Sequence, residues 1–152
     1  MKKIYIAAFH TSKFGKLLGQ TVPEILSNAV TGACRSIGIE AAALDVASVG
    51  AACNFSLNEQ GLLSGLLAMV PGLESKPMEA VENACASGGQ AVLSVIQKLQ
   101  LGLGETGIAV GCGRCATPAP WTASSSARCW ATSPSRTSGQ GRHSCSRTSL
   151  PR

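Results

Sequence analysis

The amino-acid sequence predicts an α/β protein in which short strands of a parallel sheet alternate with amphipathic helices. Over residues 1–112, four short segments with strand character alternate with three longer helical segments, and the first helical segment has apolar residues three and four positions apart. Glycine or proline stands where each helical segment should end. The predicted order is β-α-β-α-β-α-β, which favours a layered sheet with right-handed crossovers.

The first predicted strand covers Lys3–Phe9, a short apolar run that is followed by a loop over residues 10–20. A helix should begin after Thr21, because Thr21 and Glu24 have the spacing of a capping box. Its apolar face would contain Val22, Ile25, Leu26, Ala29, Val30, Ala33 and Ile37. Gly38 is the expected end of this helix.

The remaining elements follow the same alternation of strand and helix. In chain order they are a strand over Asp45–Ala52, a helix over Asn58–Met69, a strand over Met78–Ala84, a helix over Ser87–Leu101 and a strand over Gly107–Cys112. The last helix should present Val92, Val95, Ile96 and Leu99 on one face. The last strand is wholly apolar, which is typical of a strand buried on both faces of a parallel sheet.

Charge and composition change abruptly after Gly113. Residues 1–113 contain all 8 acidic residues and seven of the 13 basic ones, whereas the remaining 39 residues contain six arginines and no acid. After Gly113, Leu150 is the only Val, Ile, Leu or Met, and Ser, Thr, Pro, Gly and Arg dominate. Such a segment cannot bury enough apolar surface to offset its ordering entropy. We therefore predict an irregular, disordered tail over residues 113–152.

Nothing in the sequence predicts secretion or a membrane span. The apolar run after Lys2-Lys3 is too short for a signal peptide, and Gly61–Gly72 is too short to cross a bilayer. The cysteines that precede the tail are widely spaced and lie in apolar surroundings. We expect a cytoplasmic protein with reduced thiols.

Cys85 is the candidate nucleophile. It lies where a predicted strand meets a helix, and the small residues Ala86, Ser87, Gly88 and Gly89 follow it. Free amide N–H groups at a helix start favour negative charge, which promotes the thiolate form of a cysteine. The glycines allow close approach of an acyl group or of another backbone segment. A thiolate can attack a thioester carbonyl to give an acyl-enzyme. The competing interpretation is a buried, inert cysteine.

Residues 81–91, Val-Glu-Asn-Ala-Cys-Ala-Ser-Gly-Gly-Gln-Ala, resemble the nucleophile segment of the thiolase family. Residues 108–112 resemble the strand that follows this segment in the family, and residues 4–16 resemble the first strand and loop. The resemblance runs from about residue 3 to residue 112 and implies a partial thiolase-like layered fold over residues 1–112. Ketoacyl synthases also use a cysteine at this place, but Gln90-Ala91 after the motif fits thiolases better.

The resemblance implies acyl transfer between coenzyme A thioesters through an acyl-enzyme on Cys85. Acyl-CoA or acetyl-CoA would be the substrate, with no metal and no prosthetic group, and intact members would be homo-oligomers. The family also uses a histidine that activates the nucleophile and a second cysteine, both from a C-terminal half. His10 and His143 match neither role. We therefore expect this chain to be a truncated and inactive form.

A frameshift would explain why the resemblance and the composition change at the same place. Read one nucleotide out of frame, Thr122 becomes aspartate and Ala131 becomes glycine, because the tryptophan before each has a single codon. Residues 145–151 can then encode Met-Phe-Pro-His-Leu-Phe-Ala. Acidic and apolar residues return together, as a globular continuation requires. The domain hypothesis is a partial thiolase N-terminal domain over 1–112 and a frameshift-derived tail over 113–152.

Three other functions compete with acyl transfer. One is a small acyl-binding or structural protein of half-thiolase type, whose bare hydrophobic face would invite aggregation or a partner. The basic Arg- and Ser-rich tail, with Trp121 and Trp130, could bind nucleic acid in a non-catalytic polypeptide. It has no recognisable fold or repeat, so we do not expect this partner. Cys112 and Cys115 have Cys-x-x-Cys spacing, but a redox or zinc site needs a helix N-terminus or a second cysteine pair. Neither is predicted.

Overall fold

The computed structural model describes residues 2–13, 17, 19–55 and 59–113. Its helices are α1 (Val22–Ser36), α2 (Leu63–Leu67) and α3 (Ser87–Gln100), and its strands are β1 (Val46–Gly50), β2 (Met78–Val81) and β3 (Gly107–Gly111). Short 3₁₀ turns cover Ala41–Ala43 and Ala84–Ala86. The predicted α/β class is confirmed.

The three strands form one parallel sheet in the order β2-β1-β3. Gly50, the last residue of β1, pairs with Val81 on β2 and with Gly111 on β3. All three strands therefore end at the same level. Parallel strands place their carboxyl ends on the same side of a sheet. The loops after β1, β2 and β3 therefore lie together on that side.

β1 is buried along its whole length because helices cover both faces of the sheet. One core cluster joins Ala47, Val49 and Val110 to α1 and α2, and the other joins Val46 to Val95 and Leu99 on α3. Such two-sided burial explains the near-continuous apolar run of a central parallel strand. A 2.7 Å ion pair between Lys98 on α3 and Glu79 on β2 ties this helix to the sheet edge.

α1 begins and ends as the sequence predicts. The Thr21 hydroxyl accepts a hydrogen bond from the Glu24 N–H, and the Glu24 carboxylate accepts one from the Thr21 N–H at 2.7 Å. The predicted capping box is thus confirmed. Gly38 follows the helix with a φ of +68°, a conformation that residues with a Cβ rarely adopt.

The predicted strand over Lys3–Phe9 is wrong. These residues form no strand, and Tyr5, Ile6 and Phe9 are about four-fifths exposed. Contacts hold the two ends of the segment. Lys2 forms a 2.7 Å ion pair with Glu105, Ile4 packs against the core cluster beneath α3, and His10 packs against α1. Apolar β-branched and aromatic residues favour a strand only where a sheet edge accepts their backbone.

Other boundaries differ by a few residues. α2 is shorter than the predicted helix Asn58–Met69, and residues 56–58 and 14–16 lie outside the described part of the chain. β3 is half-buried, not buried on both faces, because it lies at an edge of the sheet. The predicted apolar face of α3 is correct for Val95 and Leu99, whereas Val92 is 40% exposed. Apart from Gly113, the predicted tail lies outside the described residues.

Asp45 fixes the loop between α3 and β3. Its Oδ2 atom accepts hydrogen bonds from the N–H groups of Glu105 and Thr106, at 2.8 and 3.0 Å, and from the Thr106 hydroxyl. These bonds, led by that of Glu105, lower the pKa of the Asp45 carboxyl below its ordinary value. The carboxylate thereby holds the start of β3 beside the start of β1.

Candidate active site

Cys85 lies at the carboxyl end of β2, in the 3₁₀ turn Ala84–Ala86 that leads directly into α3. Its side chain is exposed. The predicted strand-to-helix location is therefore correct, and Cys85 is not buried as the competing interpretation would require. Within the described residues, no hydrogen bond engages the Cys85 thiol.

The chain reverses sharply just before Cys85. Ala84 has a φ of +45°, in the left-handed region that a Cβ makes unfavourable. Such a residue costs roughly 1–2 kcal/mol relative to a right-handed conformation. Strained non-glycine residues persist only where neighbouring interactions determine the backbone, and they cluster at functional sites. The strained backbone of Ala84 therefore marks the neighbouring Cys85 as a candidate functional residue.

Ser87 supplies the interactions that hold this turn. Its buried hydroxyl accepts a 2.8 Å hydrogen bond from the Asn83 N–H and donates a 2.7 Å hydrogen bond to the Ala84 carbonyl. The Ala86 N–H donates a further 2.8 Å bond to the Asn83 carbonyl. The Ser87 side chain therefore bridges two residues on the N-terminal side of Cys85 from a position on its C-terminal side.

Gly50 brings β1 into contact with the same turn. A Cβ on Gly50 would overlap the Ser87 carbonyl oxygen and would lie 2.6 Å from the Ser87 carbonyl carbon. Only a glycine allows α3 to begin this close to the sheet. Gly88 and Gly89 differ, because both are exposed and have no atom within 4 Å of a Cβ position. They leave open space at the start of α3.

A second exposed thiol, that of Cys53, lies in the loop after β1. The Cys53 N–H donates a 2.8 Å hydrogen bond to the Glu82 carboxylate, and Cys53 has a φ of +49°. Glu82 also lines a cleft of about 280 Å³ with residues that include Phe55, Gln60 and Leu63. Glu82 thus links the loops after β1 and β2.

The other described cysteines are unsuited to nucleophilic attack. Burial raises the pKa of the Cys112 thiol, and burial together with the nearby Glu40 carboxylate raises that of Cys34. Cys112 directly follows a strand, and Cys115 lies outside the described residues, as does His143. His10 packs against α1: a Cβ on Gly32 would lie 2.6 Å from its Nε2 atom.

Neither a metal centre nor a membrane span is found in the part of the chain that the structure describes. No group of three or more His, Cys, Asp or Glu residues there could hold a metal ion. No described helix is both long enough and apolar enough to cross a bilayer.

Sequence reasoning found Cys85 and its following residues but missed Gly50 and Glu82. A glycine at the end of a buried strand signals close backbone approach, but the sequence does not say which segment approaches. Glu82 lies three residues before Cys85 and could have been selected as an acidic residue close to the nucleophile.

Comparison with known proteins identifies the family of this fold. A sequence model described as Thiolase, N-terminal domain matches residues 4–137. The chain belongs to the thiolase family. The match includes Cys85 and extends past residue 112, where the sequence analysis places the end of the resemblance.

The chain is similar to one individual protein in sequence and to one solved structure. It is 33% identical over 111 residues to an acetyl-CoA acetyltransferase of Methanothermobacter thermautotrophicus, an alignment that covers 73% of the chain and 29% of the relative. It is similar in structure to the 3-oxoacyl-[acyl-carrier-protein] synthase III of Aquifex aeolicus VF5, with a TM-score of 0.47 and 14% identity. That alignment covers 55% of this chain and 27% of the synthase. Because the TM-score of this structural match is below 0.5, the family assignment depends on the sequence matches alone.

Proposed function

We propose that this chain carries out the first half-reaction of a thiolase-type acyltransferase. The Cys85 thiol releases its proton to water, and the resulting thiolate attacks the carbonyl carbon of an acyl-CoA thioester. A new thioester bond forms on Sγ, the bond between the acyl carbon and the coenzyme A sulfur breaks, and the departing coenzyme A thiolate takes up a proton from water. The observation that carries the proposal is an exposed cysteine on a strained turn, within the range that the family model matches.

Acyl-CoA is the proposed substrate because the family resemblance and the named relative both point to coenzyme A thioesters. The exposed Gly88 and Gly89 support this substrate, since they leave room for the acyl group next to Cys85. No metal or prosthetic group enters the proposed step, in which coenzyme A is a substrate carrier.

Mass spectrometry of the full chain after incubation with acetyl-CoA tests this step. We expect one acetyl adduct on the Cys85 peptide, absent from Cys85→Ser. Cys53→Ser is the matched control, because it removes the other exposed thiol of the described region and should leave the adduct in place. If acetylation persists in Cys85→Ser and disappears in Cys53→Ser, the nucleophile is Cys53 and the proposal is refuted.

We propose that acylation occurs without turnover. The second half-reaction needs a base that activates the incoming acyl acceptor, and general bases of this kind contribute roughly 10²–10⁴-fold. His10 packs against Gly32 on α1, and the thiol of Cys85 has no hydrogen-bond partner in the described residues. Steady-state release of acetoacetyl-CoA from two acetyl-CoA by the purified chain would refute this expectation.

The remaining expectations extend the same proposal to the cell and the gene. We propose a cytoplasmic location and, for intact family members, a homo-oligomer. We also propose that residues 113–152 are out of frame with the preceding coding sequence. The nucleotide sequence of the gene tests the last point: a neighbouring frame without a coherent thiolase continuation would exclude it.

A further inference from the structure

We infer that Gly50 and Ser87 together act as positioning residues for the Cys85 nucleophile. Gly50 is the last residue of the neighbouring strand β1, and Ser87 is the first residue of α3. This inference rests on the proposed function for the chemistry of Cys85. The positioning itself can be measured without acyl transfer.

The first step of the argument is the register of the sheet. Gly50 pairs with Val81, so β1 and β2 end at the same level, and the chain after Val81 must turn back over β1 to start α3. Ser87 then contacts Gly50 through its backbone carbonyl, at a distance that excludes any Cβ on residue 50. Gly50 therefore sets how closely the start of α3 approaches the sheet.

The second step is the connection from Ser87 to Cys85. The Ser87 hydroxyl holds the Asn83 N–H and the Ala84 carbonyl, and Ala84 carries the left-handed φ of the reversal. Displacing Ser87 would therefore disturb the two residues that precede Cys85. Because Ser87 is buried, solvent cannot replace these two bonds without a rearrangement of the turn.

The third step is that the chain contains a matched glycine. Gly111 ends β3 in register with Gly50, but a Cβ on Gly111 meets no atom within 4 Å. A Gly50→Ala and Gly111→Ala pair therefore compares the same substitution at the same level of the sheet. The two positions differ in their contact with Ser87 and also in burial, because Gly50 is buried on the central strand and Gly111 is exposed on an edge strand.

The experiment measures the rate of iodoacetamide alkylation at each cysteine of the full chain by peptide mapping. Cys53 is the internal reference, because it is exposed at the same edge of the sheet and has no bond to Ser87. In Gly50→Ala and in Ser87→Ala, we expect the ratio of the Cys85 rate to the Cys53 rate to change by roughly tenfold, and its pH profile to shift. Gly111→Ala should leave the ratio unchanged.

Ser87→Thr retains a hydroxyl and should restore most of the ratio that Ser87→Ala loses. Equal effects of Gly50→Ala and Gly111→Ala would overturn the inference, as would equal changes at Cys53 and Cys85, which indicate general loosening. If Gly50→Ala fails to fold, Ser87→Ala and Ser87→Thr decide, since both leave Gly50 unchanged and so add no Cβ to β1. Unaltered alkylation ratios with intact acetylation would refute the positioning role alone, whereas absent acetylation of the unmodified chain would refute the proposed function alone.

Discussion

Ala84 and Ser87 balance each other at the turn that carries Cys85. The left-handed backbone of Ala84 is unfavourable, and the two hydrogen bonds of the Ser87 hydroxyl offset it. A net contribution of about 0.5–1.5 kcal/mol per hydrogen bond is similar in size to the strain. The turn therefore depends on a side chain two residues beyond the nucleophile.

Replacing Ala84 by glycine should stabilise the protein. The substitution removes the Cβ that makes φ +45° unfavourable, and we expect the free energy of unfolding to rise by about 1 kcal/mol. Urea denaturation measures the change. Ala86→Gly is the control, because Ala86 has a φ of −97° and gains nothing from glycine. An equal effect of both substitutions would argue against strain at Ala84.

The four described cysteines should differ in reactivity. We expect iodoacetamide at pH 7 to alkylate Cys85 and Cys53 at least tenfold faster than Cys34 and Cys112, because the latter are buried and burial raises their pKa. Peptide mapping at several reaction times gives the four rates. Alkylation of Cys112 as fast as that of Cys53, in folded protein, would contradict the burial seen here.

Residue-scale prediction succeeds where the relevant neighbours are close in sequence. Cys85 and the residues after it were predictable because a strand, a turn and a glycine-rich helix start follow one another directly. Gly50 and Ser87 lie 37 positions apart in the sequence, and no local pattern specifies their contact. The role of Gly50 therefore needed the sheet register.

At the scale of elements, α1 begins at a capping box that the sequence predicts. Thr21→Ala removes the hydroxyl that accepts the Glu24 N–H and should lower the free energy of unfolding by about 1 kcal/mol. Thr31→Ala is a matched control in the same helix, since the exposed Thr31 hydroxyl bonds only the Ser27 carbonyl within the helix. Thermal or urea unfolding should show a loss for Thr21→Ala and almost none for Thr31→Ala.

The loop between α3 and β3 should make stability depend on acid. The folded-state pKa of Asp45 lies below its unfolded value, so the unfolded state binds more protons between the two values. Stability from this group is therefore complete above the unfolded pKa of about 3.9 and is lost as pH falls through the folded pKa. Urea denaturation from pH 6 to pH 2.5 should show a shallower acid loss in Asp45→Asn. An unchanged slope would contradict the role of Asp45.

Element-scale prediction succeeded for α1, α3 and the three strands because amphipathic period and end signals are local. It failed for Lys3–Phe9, whose composition favours a strand. A strand also needs a neighbouring edge that accepts its hydrogen bonds, and the apolar run does not report whether one is present. The half-burial of β3 could not be predicted either. The order of the strands decides whether a strand lies at an edge or in the centre of the sheet, and the sequence of β3 does not specify that order.

At the scale of the whole molecule, the N-terminal segment exposes several large apolar side chains. Tyr5, Ile6 and Phe9 are 78%, 84% and 82% exposed, whereas Ile4 in the same segment is partly buried. Exposed apolar patches of this kind promote association. The segment should therefore affect solubility more than folding stability.

Substitution of this segment separates the two effects. Ile6→Thr combined with Phe9→Ser should reduce concentration-dependent association, measured by light scattering, and should change the free energy of unfolding by less than about 0.5 kcal/mol. Ile4→Ala is the contrasting variant, because it removes contacts with the core cluster beneath α3 and should cost roughly 1 kcal/mol. Unchanged association in the double variant would show that other surfaces dominate.

The sheet order β2-β1-β3 has a consequence for biosynthesis. As the chain leaves the ribosome, β1 emerges first, β2 then pairs with one of its edges, and the Cys85 turn can close on Gly50 as soon as Ser87 is available. The opposite edge of β1 stays open until Gly107–Gly111 is synthesised. During that interval the nascent chain would present a formed nucleophile turn beside an unpaired central strand, so chaperone binding should be strongest before residue 111 emerges.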